Sequence, residues 1–150
     1  MTIEVVEMQL SHAYKLARNL REDDRLECEA LGKTPQEMLK ECYRYSIFKK
    51  ATLVDGEVVC CHGLFGTMLG YTAHPWLLTA PGVEKVYLYL ACAYRREVKK
   101  MLEMFPRLEN FCDSRYTKSL KLLRLVGFHV DEPEPCGKHG ALFCRFWIEK

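Results

Sequence analysis

The residues able to do chemistry fall in four places. His62 follows the pair Cys60-Cys61 in an apolar run. An imidazole titrates near neutrality, so it could serve as a general base or sit hydrogen-bonded in a core. Asp23, Asp24 and Glu27 crowd three carboxylates beside Arg21 and Arg25. That group is either a binding surface or an acid/base pair. The plain alternative is a solvated face with ion pairs worth under about 1 kcal/mol each. Glu109 and Asn110 stand together in a short β-type run, where polar contacts at a sheet end are the plain alternative. Cys136-Gly-Lys-His139 has the two-residue gap of tetrahedral zinc sites, with His129 and Cys144 as further ligands. The sequence holds no second such pair, and Gly137 and Gly140 suit a plain hairpin turn, so no metal is expected. No Ser-His-Asp order, Walker loop or complete dinucleotide-binding glycine set occurs.

The elements that must position these groups can be read in order. Thr2–Met8 predicts a strand through Ile3, Val5 and Val6. Ser11 is placed to cap a helix whose inner face is Ala13, Leu16, Ala17 and Leu20. Arg21–Gly32 reads as a short, very polar helical piece with Leu26, Ala30 and Leu31 facing in. Thr34-Pro35-Gln36-Glu37 is a helix start, with Thr34 as cap, Pro35 in the first turn and Glu37 closing the capping box. That helix runs to about Ser46. Ala51–Val54, Asp55-Gly56 and Glu57–Cys61 predict a β-hairpin whose second strand continues toward Phe65. Pro75–Thr79 is a further strand, broken by Pro81-Gly82.

Val83–Phe105 is the longest helix. Val86, Tyr87, Leu90, Ala91, Tyr94, Val98, Met101 and Leu102 form its apolar stripe, and Arg95, Arg96, Lys99 and Lys100 its wet side. Leu108–Cys112 is a strand. Asp113–Val126 is a helix buried through Leu120, Leu122, Leu123, Leu125 and Val126. Gly127 supplies the left-handed stop and Phe128 tucks under the last turn. Phe128–Val130 is a strand, Asp131–Gly140 a loop, and Ala141–Ile148 a two-faced strand. The order β-α-α-β-β-β-α-β-α-β-β predicts a single α/β domain over residues 1–150.

Bulk properties limit the function classes. The 150 residues suffice for one real core, and 49% hydrophobic with 28% charged residues is ordinary for a globular chain. A net charge of +2 gives no case for nucleic acid or a membrane surface. No Asp, Glu, Lys or Arg occurs between Glu57 and Glu84, but Gly63, Gly66, Gly70, Pro75 and Pro81 interrupt the stretch. Two buried strands fit it better than a membrane span. The eight cysteines sit in apolar patterns behind an N-terminus that does not read as a signal peptide. Free thiols in a reducing cytoplasm are expected.

The element order and the helix ending Leu125-Val126-Gly127-Phe128 resemble the GNAT superfamily of acetyl-CoA-dependent N-acetyltransferases. More narrowly, the sequence resembles small phage-encoded GNAT-like proteins, the internal virion protein A family. The resembling pieces are Arg21-Glu-Asp-Asp-Arg-Leu-Glu, Val54-Asp-Gly-Glu57, Pro75-Trp-Leu-Leu-Thr79, Leu108-Glu-Asn110, Lys118-Ser-Leu-Lys-Leu-Leu and Gly127-Phe128. The resemblance implies a GNAT-like α+β fold, with a mixed sheet of six to seven strands flanked by about four helices. It implies a phage origin and the bacterial host cytoplasm or the virion as location. Two functions follow from it: acetyl transfer to an amine, or a non-catalytic role in virion morphogenesis or in binding a host protein. Its cofactor would be acetyl-CoA, held by Leu78, Thr79, Gly82, Val83 and Lys85. Its catalytic candidates are His62, Glu109 and Asn110, and Arg21, Asp23, Asp24 and Glu27 would border the acceptor site.

The sequence departs from catalytic members twice. The motif R/Q-x-x-G-x-G/A, whose glycines let backbone N–H groups approach the pyrophosphate, is here Leu78-Thr-Ala-Pro-Gly-Val-Glu-Lys85. Only Gly82 remains, Pro81 removes a donor, and Glu84 would repel a phosphate. The frequent general-acid tyrosine is Leu123. Both losses favour weak or absent acetyl transfer.

Overall fold

A computed structural model describes residues 1–67, 69–136 and 140–150 of the chain. The elements run β1 (Ile3–Glu7), α1 (Leu10–Arg18), α2 (Glu22–Ala30), α3 (Pro35–Tyr45), β2 (Phe48–Val54), β3 (Glu57–Phe65) and β4 (Thr72–Thr79). A 3-10 turn (Pro81–Val86) precedes α4 (Tyr87–Met104), and then come β5 (Arg107–Asp113), α5 (Thr117–Val126), β6 (His129–Val130), β7 (Glu134–Cys136) and β8 (Ala141–Glu149). The strand order is β1-β2-β3-β4-β5-β8-β6, with β7 beside β8. The sheet is mixed: β4 and β5 are parallel, whereas β5–β8 and β2–β3 are antiparallel. This is the α+β architecture the sequence predicts, with two differences. The polar piece after Arg21 is a full helix, α2, so the helices number five among the described residues. A strand, β7, forms inside the expected loop, because β8 supplies its partner groups at Glu134↔Phe143 and Cys136↔Ala141. The chain divides into two compact units, Met1–Gly66 with Pro75–Lys85, and Thr67–His74 with Val86–Lys150.

The first unit is built on the β1–β2–β3 meander. Asp55 and Gly56 take the positive φ angles of the expected tight turn, 49° and 82°. Its core joins Leu16, Ala17, Leu39, Cys42, Ala51, Cys61 and Trp76. Trp76 donates its indole N–H to Ser46 Oγ at 2.7 Å and lies over Gly63, where a Cβ would stand 2.3 Å from the Phe48 carbonyl oxygen and 2.8 Å from the indole. α3 starts as predicted, with the Glu37 N–H donating to Thr34 Oγ1 at 3.1 Å. α1 does not start at Ser11. Gln9 is its N-cap, and the Gln9 N–H donates to His12 Nδ1 at 2.9 Å. The His12 imidazole, three residues on, accepts the N-cap N–H, as the third residue of a capping box does.

The second unit pairs β5 with β8 over seven residues, from Arg107↔Glu149 to Asp113↔Phe143. α4 buries Leu90, Ala91, Tyr94, Val98 and Met101, as its stripe predicts. It starts at Tyr87 rather than Val83, since the preceding residues are wound as the 3-10 turn. α5 also starts later than predicted. Asp113 accepts the Arg115 backbone N–H at 2.9 Å, and that turn comes before the helix. Gly127 at φ 119° closes α5, and the Phe128 N–H reaches the Leu123 carbonyl at 3.0 Å. Phe128 packs edge-on against Phe146 at 5.1 Å. Leu125, expected inside, is exposed.

No helix among the described residues is long and apolar enough to cross a membrane. The uncharged stretch after Glu57 supplies β3 and β4 instead. All eight cysteines are free, and Cys92 is exposed.

Candidate functional site

α2 begins with three acidic residues, Glu22, Asp23 and Asp24, which suit the positive end of a helix. One helical turn separates Asp24 from Cys28, and those two residues are the buried ones of α2. Asp24 is therefore not part of a solvated face. Its Oδ2 accepts two bonds from Thr79 at the end of β4: the backbone N–H at 2.9 Å and the hydroxyl at 2.5 Å. The Arg21 guanidinium stands 3.7 Å from the other carboxylate oxygen, and the Arg21 N–H donates to the Thr79 carbonyl at 2.8 Å. So Arg21 and Asp24, read as a binding surface, and Thr79, read as a cofactor contact, meet in one buried knot inside the first unit. Burial pushes the Asp24 carboxyl up; Arg21 and the two Thr79 bonds pull the other way without cancelling it. Asp23 and Glu27 are half-buried on the same helix. Burial, with Asp24 and Glu27 nearby, pushes the Cys28 thiol up to about 12, so it is a protonated core group and not a nucleophile.

Two donors of the turn after β4 are also engaged. The Ala80 N–H donates to the Val59 carbonyl at 2.8 Å and the Val83 N–H to the Ala80 carbonyl at 3.0 Å. Leu78 is half-buried, Val83 is buried and Lys85 is exposed. A Cβ on Gly82 would meet Val59 at an ordinary 3.5 Å, so no protein neighbour requires glycine there.

His62 is buried on β3, opposite Lys50, with its ring 6.0 Å from that of Phe48. Glu109 and Asn110 belong to β5 in the second unit. Glu109 accepts from Arg107 Nε at 3.0 Å and from a terminal nitrogen of the same guanidinium at 2.7 Å. Arg107 also binds Glu149 at 2.7 Å and lies 4.6 Å from the Trp147 ring centroid. The Glu109 carbonyl is bonded to His74 Nδ1 at 2.8 Å. Asn110 Oδ1 accepts the Phe111 N–H at 2.8 Å. Of the zinc-type set, His139 lies outside the described residues; among the described residues no cluster of His, Cys, Asp or Glu could hold a metal ion.

No family model matches the sequence, and no curated protein sequence does. The fold has many relatives among solved structures. An acetyltransferase of the GNAT family from Bacillus anthracis superposes with a TM-score of 0.71 at 10% identity, over 99% of this chain and 95% of that one. The fold is the GNAT acetyltransferase fold. An aminoglycoside acetyltransferase in complex with coenzyme A shares it at TM-score 0.68 and 10% identity, over 99% of this chain and 95% of that one. An acetyltransferase from Salmonella typhimurium, solved with acetyl-CoA, shares it at 0.64 and 11%, over 99% and 94%.

Against the glycine loop expected of a coenzyme-binding GNAT fold, this chain keeps Gly82 alone and offers a pyrophosphate fewer backbone donors. The Thr79, Ala80 and Val83 N–H groups are bonded within the protein, Pro81 has none, and the buried Asp24 side chain also takes the Thr79 hydroxyl. The sequence misses the Asp24–Thr79 bond because the two are 55 positions apart. The available signal was the spacing of Asp24 and Cys28, which puts both on one helix face.

Proposed function

We propose that this GNAT-fold chain is a phage protein of the internal virion type. It acts by binding another protein, of phage or host, and does not transfer acetyl groups. The supporting observation is that Asp24 holds the backbone and hydroxyl donors of Thr79, two of the donors in the stretch expected to meet a coenzyme pyrophosphate. The phage assignment and a place in the host cytoplasm or the virion rest on the sequence resemblance. Titration calorimetry with acetyl-CoA tests the reading. No saturable heat is expected up to about millimolar ligand, where a site would contribute only about 4 kcal/mol. A saturable isotherm together with acetylation of an amine rejects it.

A second reading, acetyl transfer to an amine, has its own support. Two relatives of the fold were solved with coenzyme A or acetyl-CoA, and each aligns with nearly the whole chain. In that reading the base is His62 or Glu109, with Asn110 beside the latter. Leu78, Thr79, Gly82, Val83 and Lys85 would meet the cofactor, and Thr79 would have to give up Asp24. The same titration separates the two.

A further inference from the structure

We infer that Cys112 and Cys144 form an oxidisable thiol pair, which hydrogen peroxide closes into a disulfide between β5 and β8. The two residues are register partners in the second unit. Among the described residues no other two cysteines stand opposite each other on paired strands. Cys60 faces Thr52, Cys61 faces Ala51 and Cys136 faces Ala141. Directly opposed residues of an antiparallel pair put their side chains on the same face. Cys112 and Cys144 are both buried there, 5% and 3% exposed.

The ladder fixes their separation. The Ser114 N–H donates to the Leu142 carbonyl at 2.9 Å, and the Lys150 N–H to the Pro106 carbonyl at 3.0 Å. Hydrogen-bonded pairs recur at every second residue of an antiparallel ladder, so Cys112 and Cys144 are such a pair. The Cα atoms of a hydrogen-bonded pair lie about 5.5 Å apart, inside the range of about 4.4–6.8 Å that disulfides adopt. Opposed Cβ atoms are ordinarily about 5 Å apart, and a disulfide draws them to about 4 Å. Closure therefore needs a small approach of the two strands and leaves the bond under tension. A disulfide under tension is readily reduced again, so the link is reversible. The Cys112 thiol donates to the Asp113 carbonyl at 3.7 Å, a weak bond that oxidation gives up at little cost.

One thiolate Sγ attacks a peroxide oxygen; the O–O bond breaks, water leaves and a sulfenic acid remains. The opposed thiol attacks that sulfur, the S–S bond forms, and the sulfenic oxygen departs as a second water. The peroxide takes up the two electrons that the thiols lose. Burial slows the first step, because it disfavours the thiolate. The second step is intramolecular, with the partner sulfur already across the ladder, so it outruns oxidation to sulfinic acid. The cross-link closes the segment 112–144, which carries α5, β6 and β7. Restricting that segment in the unfolded chain stabilises the second unit.

The full chain carrying C92S, which lacks the exposed thiol able to join two molecules, is treated with hydrogen peroxide, alkylated in denaturant and mapped without reduction. One cross-linked peptide pair is expected, joining Cys112 to Cys144 and lighter by two hydrogens, with Cys28, Cys42, Cys60 and Cys61 alkylated as before. The melting temperature should rise by about 5 °C and fall back with dithiothreitol. C112A and C144A in the same background, each compared with its own reduced form, should show neither the link nor the rise. Alkylation of both Cys112 and Cys144 after peroxide overturns the proposal, and so does a sulfinic acid on either without a link. A disulfide between any other pair, or an equal rise in C144A, also overturns it. Binding of acetyl-CoA has no part in these readouts, so they stand apart from the titration above.

Discussion

At the scale of single residues, two aspartates with buried side chains illustrate how context sets the sign of a charge's contribution. Burial raises the pKa of Asp24. The folded state then holds that proton more tightly than the unfolded chain. Its contribution to stability is complete below the unfolded value of 3.8 and is lost as pH rises through the raised folded value. Asp113 is the reverse. Burial pushes it up, but its bonds to Arg115 outweigh that and the net direction is down. Its contribution is present above 3.8 and is lost as pH falls through the lowered value. Urea unfolding from acid to neutral pH reads both. D24N should gain on wild type as pH rises, and D113N should lose most at neutral pH. A parallel pair of curves contradicts the assignment. D24A leaves the Thr79 N–H and hydroxyl without their acceptor and should cost about 3 kcal/mol. D24N keeps an acceptor oxygen and should cost less.

Secondary-structure elements add a second kind of constraint, that of close approach. β3 can lie beneath Trp76 because Gly63 has no Cβ to collide with the Phe48 carbonyl and the indole ring. One of those contacts is backbone and cannot swing away. G63A should therefore cost about 1–3 kcal/mol through overpacking. The Trp76 bond to Ser46 should loosen as well. In a W147F background, which leaves Trp76 as the sole tryptophan, G63A should shift the emission to the red. Unchanged emission with unchanged stability argues against this packing. The caps show the same dependence on neighbours. Thr34 caps α3 as its motif predicts. At α1 the N-cap is Gln9 rather than Ser11, and its N–H is held by His12. The observed start at Leu10 puts Ser11 inside the first turn.

For the whole molecule, thiol chemistry gives a check that does not depend on the proposed function. Burial pushes the Cys28, Cys42 and Cys60 thiols up to about 12, and their reaction with a disulfide reagent at neutral pH should wait for unfolding. Cys92 is exposed and should react at once. Rapid labelling of four or more sites in the native protein contradicts this core. The division of charge is visible at the same scale. α5 carries Lys118, Lys121 and Arg124 with no acid, while α2 carries five acids to one arginine.

The sequence by itself determined the elements whose signals are local. Alternating or helical spacing of apolar side chains gave β1, β8, α4 and α5, and turn chemistry gave the Asp55-Gly56 hairpin and the Gly127 stop. Such features depend on residues a few positions apart, so their physics is present in any short stretch. Only the tertiary structure decided that α2 buries a carboxylate, that β7 pairs, and that the Thr79 donors at the end of β4 are already engaged. Each of these depends on a group distant in sequence supplying a partner or excluding water, and no local pattern encodes that.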